Sequence, residues 1–84
     1  MAQRNVEFTQ KAVDQYAALP PHLQAKFDKQ LAYLLANLRH PSLKAKKYDE
    51  TRDIWQARVD QNHRFYFQIR RDTYTILTII PHPK

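Results

Sequence analysis

The stretch from Ile54 to Lys84 constrains this chain more than any other. It reads IWQARVDQNHRFYFQIRRDTYTILTIIPHPK, three strand-forming runs joined by two short polar breaks. Ile54–Val59 gives way at Asp60-Gln61-Asn62, His63–Arg70 at Arg71-Asp72, and Thr73–Ile80 runs into Pro81. Successive side chains on a strand point to opposite faces. The middle run therefore splits into His63, Phe65, Phe67, Ile69 and Arg64, Tyr66, Gln68, Arg70. The first splits into Trp55, Ala57, Val59 and Ile54, Gln56, Arg58. One face is apolar and needs a cover, while the other is polar and carries arginines. This pattern predicts an antiparallel meander with one covered and one open face.

The remaining chain supplies the cover. Asn5–Phe8 reads as a short strand that joins an edge of the sheet. Thr9 is placed to cap a helix running to Leu19, with Ala12, Val13, Tyr16 and Leu19 as its apolar stripe. Pro20-Pro21 ends that helix and opens a second, because proline is disfavoured inside a helix but accepted in its first turn. Leu23, Phe27, Leu31, Leu34, Leu35 and Leu38 then recur at helical spacing. Gln24, Lys26, Asp28, Lys29 and Gln30 occupy the other side, and Arg39-His40-Pro41 terminates the helix. Pro41 to Asp53 shows no period and reads as a basic loop anchored by Leu43 and Tyr48. The expected architecture is a single α+β domain over residues 1–84. It has a short N-terminal strand and two helices packed on one face of a three-to-four-stranded, mainly antiparallel sheet.

Composition narrows the chemistry. The 84 residues contain no cysteine, which excludes disulfides and thiolate chemistry, and no glycine. Phosphate-binding loops of the P-loop and dinucleotide type need glycine for close backbone approach, so neither can be built. No apolar run approaches the roughly 20 residues that span a bilayer, and no charged-then-apolar leader opens the chain. The expected location is the cytoplasm, with no membrane partner. The net charge of +6 is concentrated: residues 39–71 hold nine Lys/Arg against Asp49, Glu50, Asp53 and Asp60. A localised basic surface suits a polyanion or an acidic protein. Solvated charge kept for solubility is the alternative.

Arg58 and Arg64 share the polar phase across the Asp60-Gln61-Asn62 turn and should meet on adjacent strands. Two guanidiniums at that spacing suit a backbone phosphate, since each donates in a bidentate fork. The competing reading pairs them with Asp60 or Asp53. His82 can transfer protons near neutral pH, although a histidine in a tail is also simply solvated. Tyr66 and Tyr74 can stack on bases or just pack. His22, His40 and His63 have no metal-ligand partner at a recognisable spacing, so neither a metal nor another cofactor is expected. There is no serine triad and no carboxylate pair for glycoside chemistry. Arginine, lysine and histidine together fit phosphoryl chemistry on RNA. In it a base takes the 2′-hydroxyl proton, cations stabilise the phosphorane, and an acid protonates the leaving 5′ oxygen.

The segment Trp55-Gln56-Ala57-Arg58-Val59-Asp60-Gln61-Asn62-His63-Arg64-Phe65-Tyr66-Phe67, followed by a hairpin partner and a terminal histidine, resembles the RelE/ParE toxin superfamily, nearest its YoeB-like branch. The resemblance spans the whole chain and implies the RelE-like microbial ribonuclease fold. It implies metal-independent cleavage of mRNA in the ribosomal decoding site, inhibition of translation, and neutralisation by a cognate antitoxin. By position, Arg64 corresponds to the phosphate-binding arginine and His82 to the acid or base, while Arg58 occupies a recurrent basic strand position. Lys44, Lys46 and Lys47 fall in the RNA-contacting loop, and Lys84 and Tyr66 join the expected RNA-binding set. The sequence departs from the branch twice. The place of the catalytic glutamate falls near Ala45, with Glu50 the nearest acid, and Pro83 stands where the branch has its final tyrosine. Two alternatives follow: an inhibitor of DNA gyrase of the ParE kind, and a weakened toxin that still binds its antitoxin.

Overall fold

The computed structural model describes residues 5–81. Five strands form one sheet: β1 (Asn5–Phe8), β2 (Lys46–Asp49), β3 (Ile54–Arg58), β4 (His63–Arg70) and β5 (Thr73–Pro81), in the order β1-β5-β4-β3-β2. The β3–β4–β5 meander is antiparallel as its alternation predicts, and β1 joins the far edge parallel to β5. The sheet is therefore mixed and one strand larger than expected.

The additional strand is β2, inside the segment expected to be a loop. Lys46-Lys47-Tyr48-Asp49 has no apolar alternation because it is an edge strand whose place is set by backbone pairing with β3. A bulge between Lys47 and Asp49 leaves Tyr48 as its extra residue. Leu43 anchors the core as expected, fully buried at the end of a short 3₁₀ turn, Pro41–Leu43. Tyr48 does not. It is 59% exposed and sets its ring against Tyr66 on the open face.

Helix α1 (Gln10–Ala18) starts at Thr9, whose hydroxyl accepts from the Ala12 N–H at 3.1 Å. Helix α2 (Pro21–Ala36) ends two residues before its apolar pattern does, at an Asn37 cap whose N–H reaches the Tyr33 carbonyl; Leu38 still packs on the core. Phe27 is the hub between the layers. It is completely buried and makes edge contacts with Phe8, Tyr16 and Phe65 at centroid distances of 6.0, 5.7 and 5.2 Å. Val13, expected in the α1 stripe, remains 45% exposed, because α1 meets the core through Ala12.

α1 also completes the sheet edge. β1 pairs with β5 only from Thr73 to Ile76, which leaves the second half of β5 without a neighbouring strand on that side. Side chains replace it. The Thr9 hydroxyl donates to the Leu77 carbonyl (2.8 Å), and Gln15 Oε1 accepts from the Ile79 N–H (2.8 Å) and the Thr78 hydroxyl (2.9 Å). These contacts meet the hydrogen-bonding requirement of a partly buried edge. A bulge at Leu77 shifts the phase of β5, so that Tyr74, Ile76 and then Ile79 enter the core.

Candidate functional site

Arg58 and Arg64 are directly opposite each other on β3 and β4. They share one pocket of about 200 Å³ with Lys44, Lys46 and Gln56, and no carboxylate lines it. Lys46 reaches the pocket because it pairs with Gln56, one row along the open face. Lys44 arrives from the end of the 3₁₀ turn, in a left-handed conformation (φ 45°) that a lysine takes up at a cost. Among the described residues, none of these four cations lies within ion-pair distance of an acid.

The acids of the segment are engaged elsewhere. Asp49 pairs with Arg52 at 2.8 Å, and this contact holds its carboxyl below the usual range. Lys47 pairs with Asp53 and Glu50, and the hydrogen bond to Asp53 raises its ammonium above the ordinary value. Asp60 contacts Lys26 at 3.6 Å and His63 at 3.1 Å, and accepts from the Asn62 N–H at 2.8 Å. Burial pushes the Asp60 carboxyl up, but these three partners outweigh it and leave it depressed. The alternative that paired the two arginines with Asp60 or Asp53 therefore fails: both carboxylates have other cations.

The two arginines are held differently. Arg64 Nη1 donates to the carbonyls of Asp60 (2.7 Å), His63 (3.0 Å) and Gln61 (3.4 Å), so the turn wraps around one corner of the guanidinium. Arg58 is placed by packing. Its Nε is buried with no acceptor among the described residues, an arrangement that costs stability and calls for a reason beyond folding.

The buried Gln30 of α2, which the sequence pattern assigned to the polar side, fixes this geometry. Its amide donates to the carbonyls of Ser42 (3.0 Å) and Arg58 (2.7 Å), and its oxygen accepts from the Ser42 hydroxyl (2.7 Å). One side chain thus ties the 3₁₀ turn that leads to Lys44 to the end of β3 that bears Arg58. A single glutamine at a helical position gives no signal of this in the sequence.

Other expected residues are not all gathered here. Lys47 pairs with Trp55 across the strands and sits 5.0 Å from its ring on the helix-facing side, so it is turned away from Lys46. Glu50 turns to Lys47, and Ala45 packs against the core. Tyr66 is buried on the open face with its hydroxyl accepting from Gln56 at 2.9 Å. His82 and Lys84 lie outside the described residues. The described chain reaches Pro81 opposite His63, one pair beyond Arg64 and Ile80. Among the described residues, no three of His, Cys, Asp or Glu come together as metal ligands, and no helix is long and apolar enough to cross a membrane.

Comparison with solved structures finds the same fold repeatedly. The RelE–RelB complex from Pyrococcus horikoshii OT3 matches with a TM-score of 0.78 at 18% identity, over 95% of this chain and 96% of that one. A YoeB/ParE toxin from Agrobacterium tumefaciens matches with a TM-score of 0.78 at 13% identity, over 94% and 99%. The YoeB dimer of Staphylococcus aureus gives a TM-score of 0.70 at 21% identity, over 98% and 100%. Comparison with curated protein sequences returns no match. The family model described as the ParE toxin of the type II toxin–antitoxin system parDE matches residues 6–83. With nearly the whole sequence inside that model and the fold shared throughout, the chain belongs to the ParE toxin family and is a type II toxin of the RelE/ParE superfamily.

Proposed function

We propose that this toxin is an endoribonuclease that cleaves mRNA on the ribosome and so inhibits translation. The observation that carries the reading is the pocket of Lys44, Lys46, Arg58 and Arg64, four cations with no acid among the described residues. Grouped like charges repel, so a fold that leaves them unpaired benefits when an anion binds. A phosphodiester suits the two arginines, which stand side by side with donor nitrogens to spare.

In the proposed reaction the 2′ oxygen loses its proton and attacks phosphorus. The P–O5′ bond breaks, the 5′ oxygen takes up a proton, and a 2′,3′-cyclic phosphate remains. Arg58 and Arg64 stabilise the charge that accumulates on the phosphoryl oxygens. Lys44 and Lys46 hold the strand. Proton transfer is assigned to His82, assisted by a lysine, because no carboxylate lines the pocket. A cognate antitoxin is the proposed protein partner. The RelE–RelB assembly of Pyrococcus horikoshii supports this by analogy of fold.

The parDE description of the family model favours a second reading, inhibition of DNA gyrase. Induction of the chain without antitoxin separates the two, with primer extension on cellular mRNA as the readout. The ribonuclease reading expects discrete new 5′ ends and arrest of protein synthesis, both lost in Arg58→Gln. Intact mRNA with a DNA-damage response would replace it with the gyrase reading. Intact mRNA with neither response would indicate a weakened toxin.

A further inference from the structure

The open face holds a second pocket next to the cationic one, and its chemistry is different. It has a volume of about 350 Å³ and is lined by Tyr48, Tyr66, Ile54, Leu77 and Ile80, with Lys11 and Thr78 as its polar members. The tyrosine rings meet edge to face at 4.9 Å and 70°. Tyr66 is fixed by burial and by the Gln56 hydrogen bond, whereas Tyr48 leaves most of its ring in solvent. Such an aromatic at a bulge on an edge strand contributes little to the core.

We infer that this pocket receives a nucleobase of the same single-stranded RNA whose phosphate lies at Arg58 and Arg64. The inference rests on the ribonuclease reading and adds to it a site for a base. Continuity between the pockets supports it. Ile80, which lines the apolar pocket, is the cross-strand partner of Arg64. Tyr66 follows Arg64 by two residues on the same face, about 7 Å along a strand. A nucleotide anchored by its phosphate therefore has an apolar, aromatic recess within one nucleotide's span. Base–aromatic stacking tolerates any base, because every base presents a π-face. Lys11, on the far side of the pocket from the arginines' strands, adds a cation where the next phosphate of the strand would pass.

The test uses NMR and binding measurements on the whole chain. One probe is a 2′-O-methyl tetraribonucleotide, which cannot form the cyclic phosphate. The other is the same strand carrying an abasic sugar at one internal position. The intact strand should shift the Tyr48 ring protons upfield, and at least one abasic position should abolish that shift. Tyr48→Ala, at an exposed site that leaves the fold intact, should weaken the intact strand about tenfold and leave that abasic strand unaffected. Tyr48→Trp should restore the difference. Arg58→Gln should weaken both strands. Loss of affinity in Arg58→Gln with no effect of Tyr48→Ala and no ring shift would overturn this inference alone, leaving the pocket to a protein partner. No effect of either substitution would overturn the phosphate site as well.

Discussion

The two faces of one sheet treat charge in opposite ways. On the helix-facing side and around its margins, Lys47, Arg52, Lys26 and His63 each meet a carboxylate. On the open side, Lys44, Lys46, Arg58 and Arg64 share a pocket that has none. Both groups come from the same short stretch of sequence, so composition does not separate them. Strand alternation does. Lys46 and Lys47 are adjacent in the chain, yet one faces Gln56 and the cationic pocket while the other lies over Trp55. The difference indicates that paired charge here serves the fold and unpaired charge serves a ligand.

The comparison is broken most forcefully from the core. Phe27→Ala removes the ring that joins α2 to Phe8, Tyr16 and Phe65, and should cost about 3–5 kcal/mol in chemical denaturation. In a domain this small that loss approaches the whole stability, and activity should vanish with the fold. Arg58→Gln should do the reverse. It should lower RNA cleavage by about 10²–10³-fold, on the scale of one lost oxyanion donor, with the unfolding midpoint unchanged or raised, since it relieves like-charge repulsion and an unpaired Nε–H. Arg64→Gln is the less clean probe because Arg64 also ties the turn together.

Asp60→Asn tests the paired side. The Asp60 carboxyl is depressed in the folded state, so its contribution is complete above the unfolded value of about 4 and disappears as pH falls through the folded value. Asp60→Asn should therefore lose about 1–2 kcal/mol at pH 7, and the two proteins should converge in stability in acid. Lys44→Gly should have the smallest effect on stability, from none to a gain of about 1 kcal/mol, because glycine relieves the left-handed backbone. It should nonetheless weaken RNA binding.

Much of this was legible before any coordinates. Alternation in the meander located Arg58 and Arg64 together, and the Thr9 cap and the Pro20-Pro21 break bounded the helices closely. What escaped the sequence has a common origin. Strand β2 has no apolar period because backbone pairing recruits it, and Tyr48 left the core for the open face through a bulge that no residue type announces. Gln30 looks like a surface glutamine until the 3₁₀ turn folds over it. The cationic pocket itself depends on which acids are already taken, a question of pairing in space. Net charge pointed to a basic surface, and only the pairing of Asp53 and Asp60 with other partners singled out the four residues that remain.

The most direct measurement is the salt dependence of RNA binding, with a non-cleavable strand and the wild-type chain set against an Arg58→Gln, Arg64→Gln double variant whose folding is verified. Each phosphate contact on a single strand contributes about 0.7 to the slope of log K against log salt concentration. If the unpaired arginines hold phosphates, the slope should fall by up to about 1.4 and affinity should drop at every salt concentration. An unchanged slope with unchanged affinity would contradict the account.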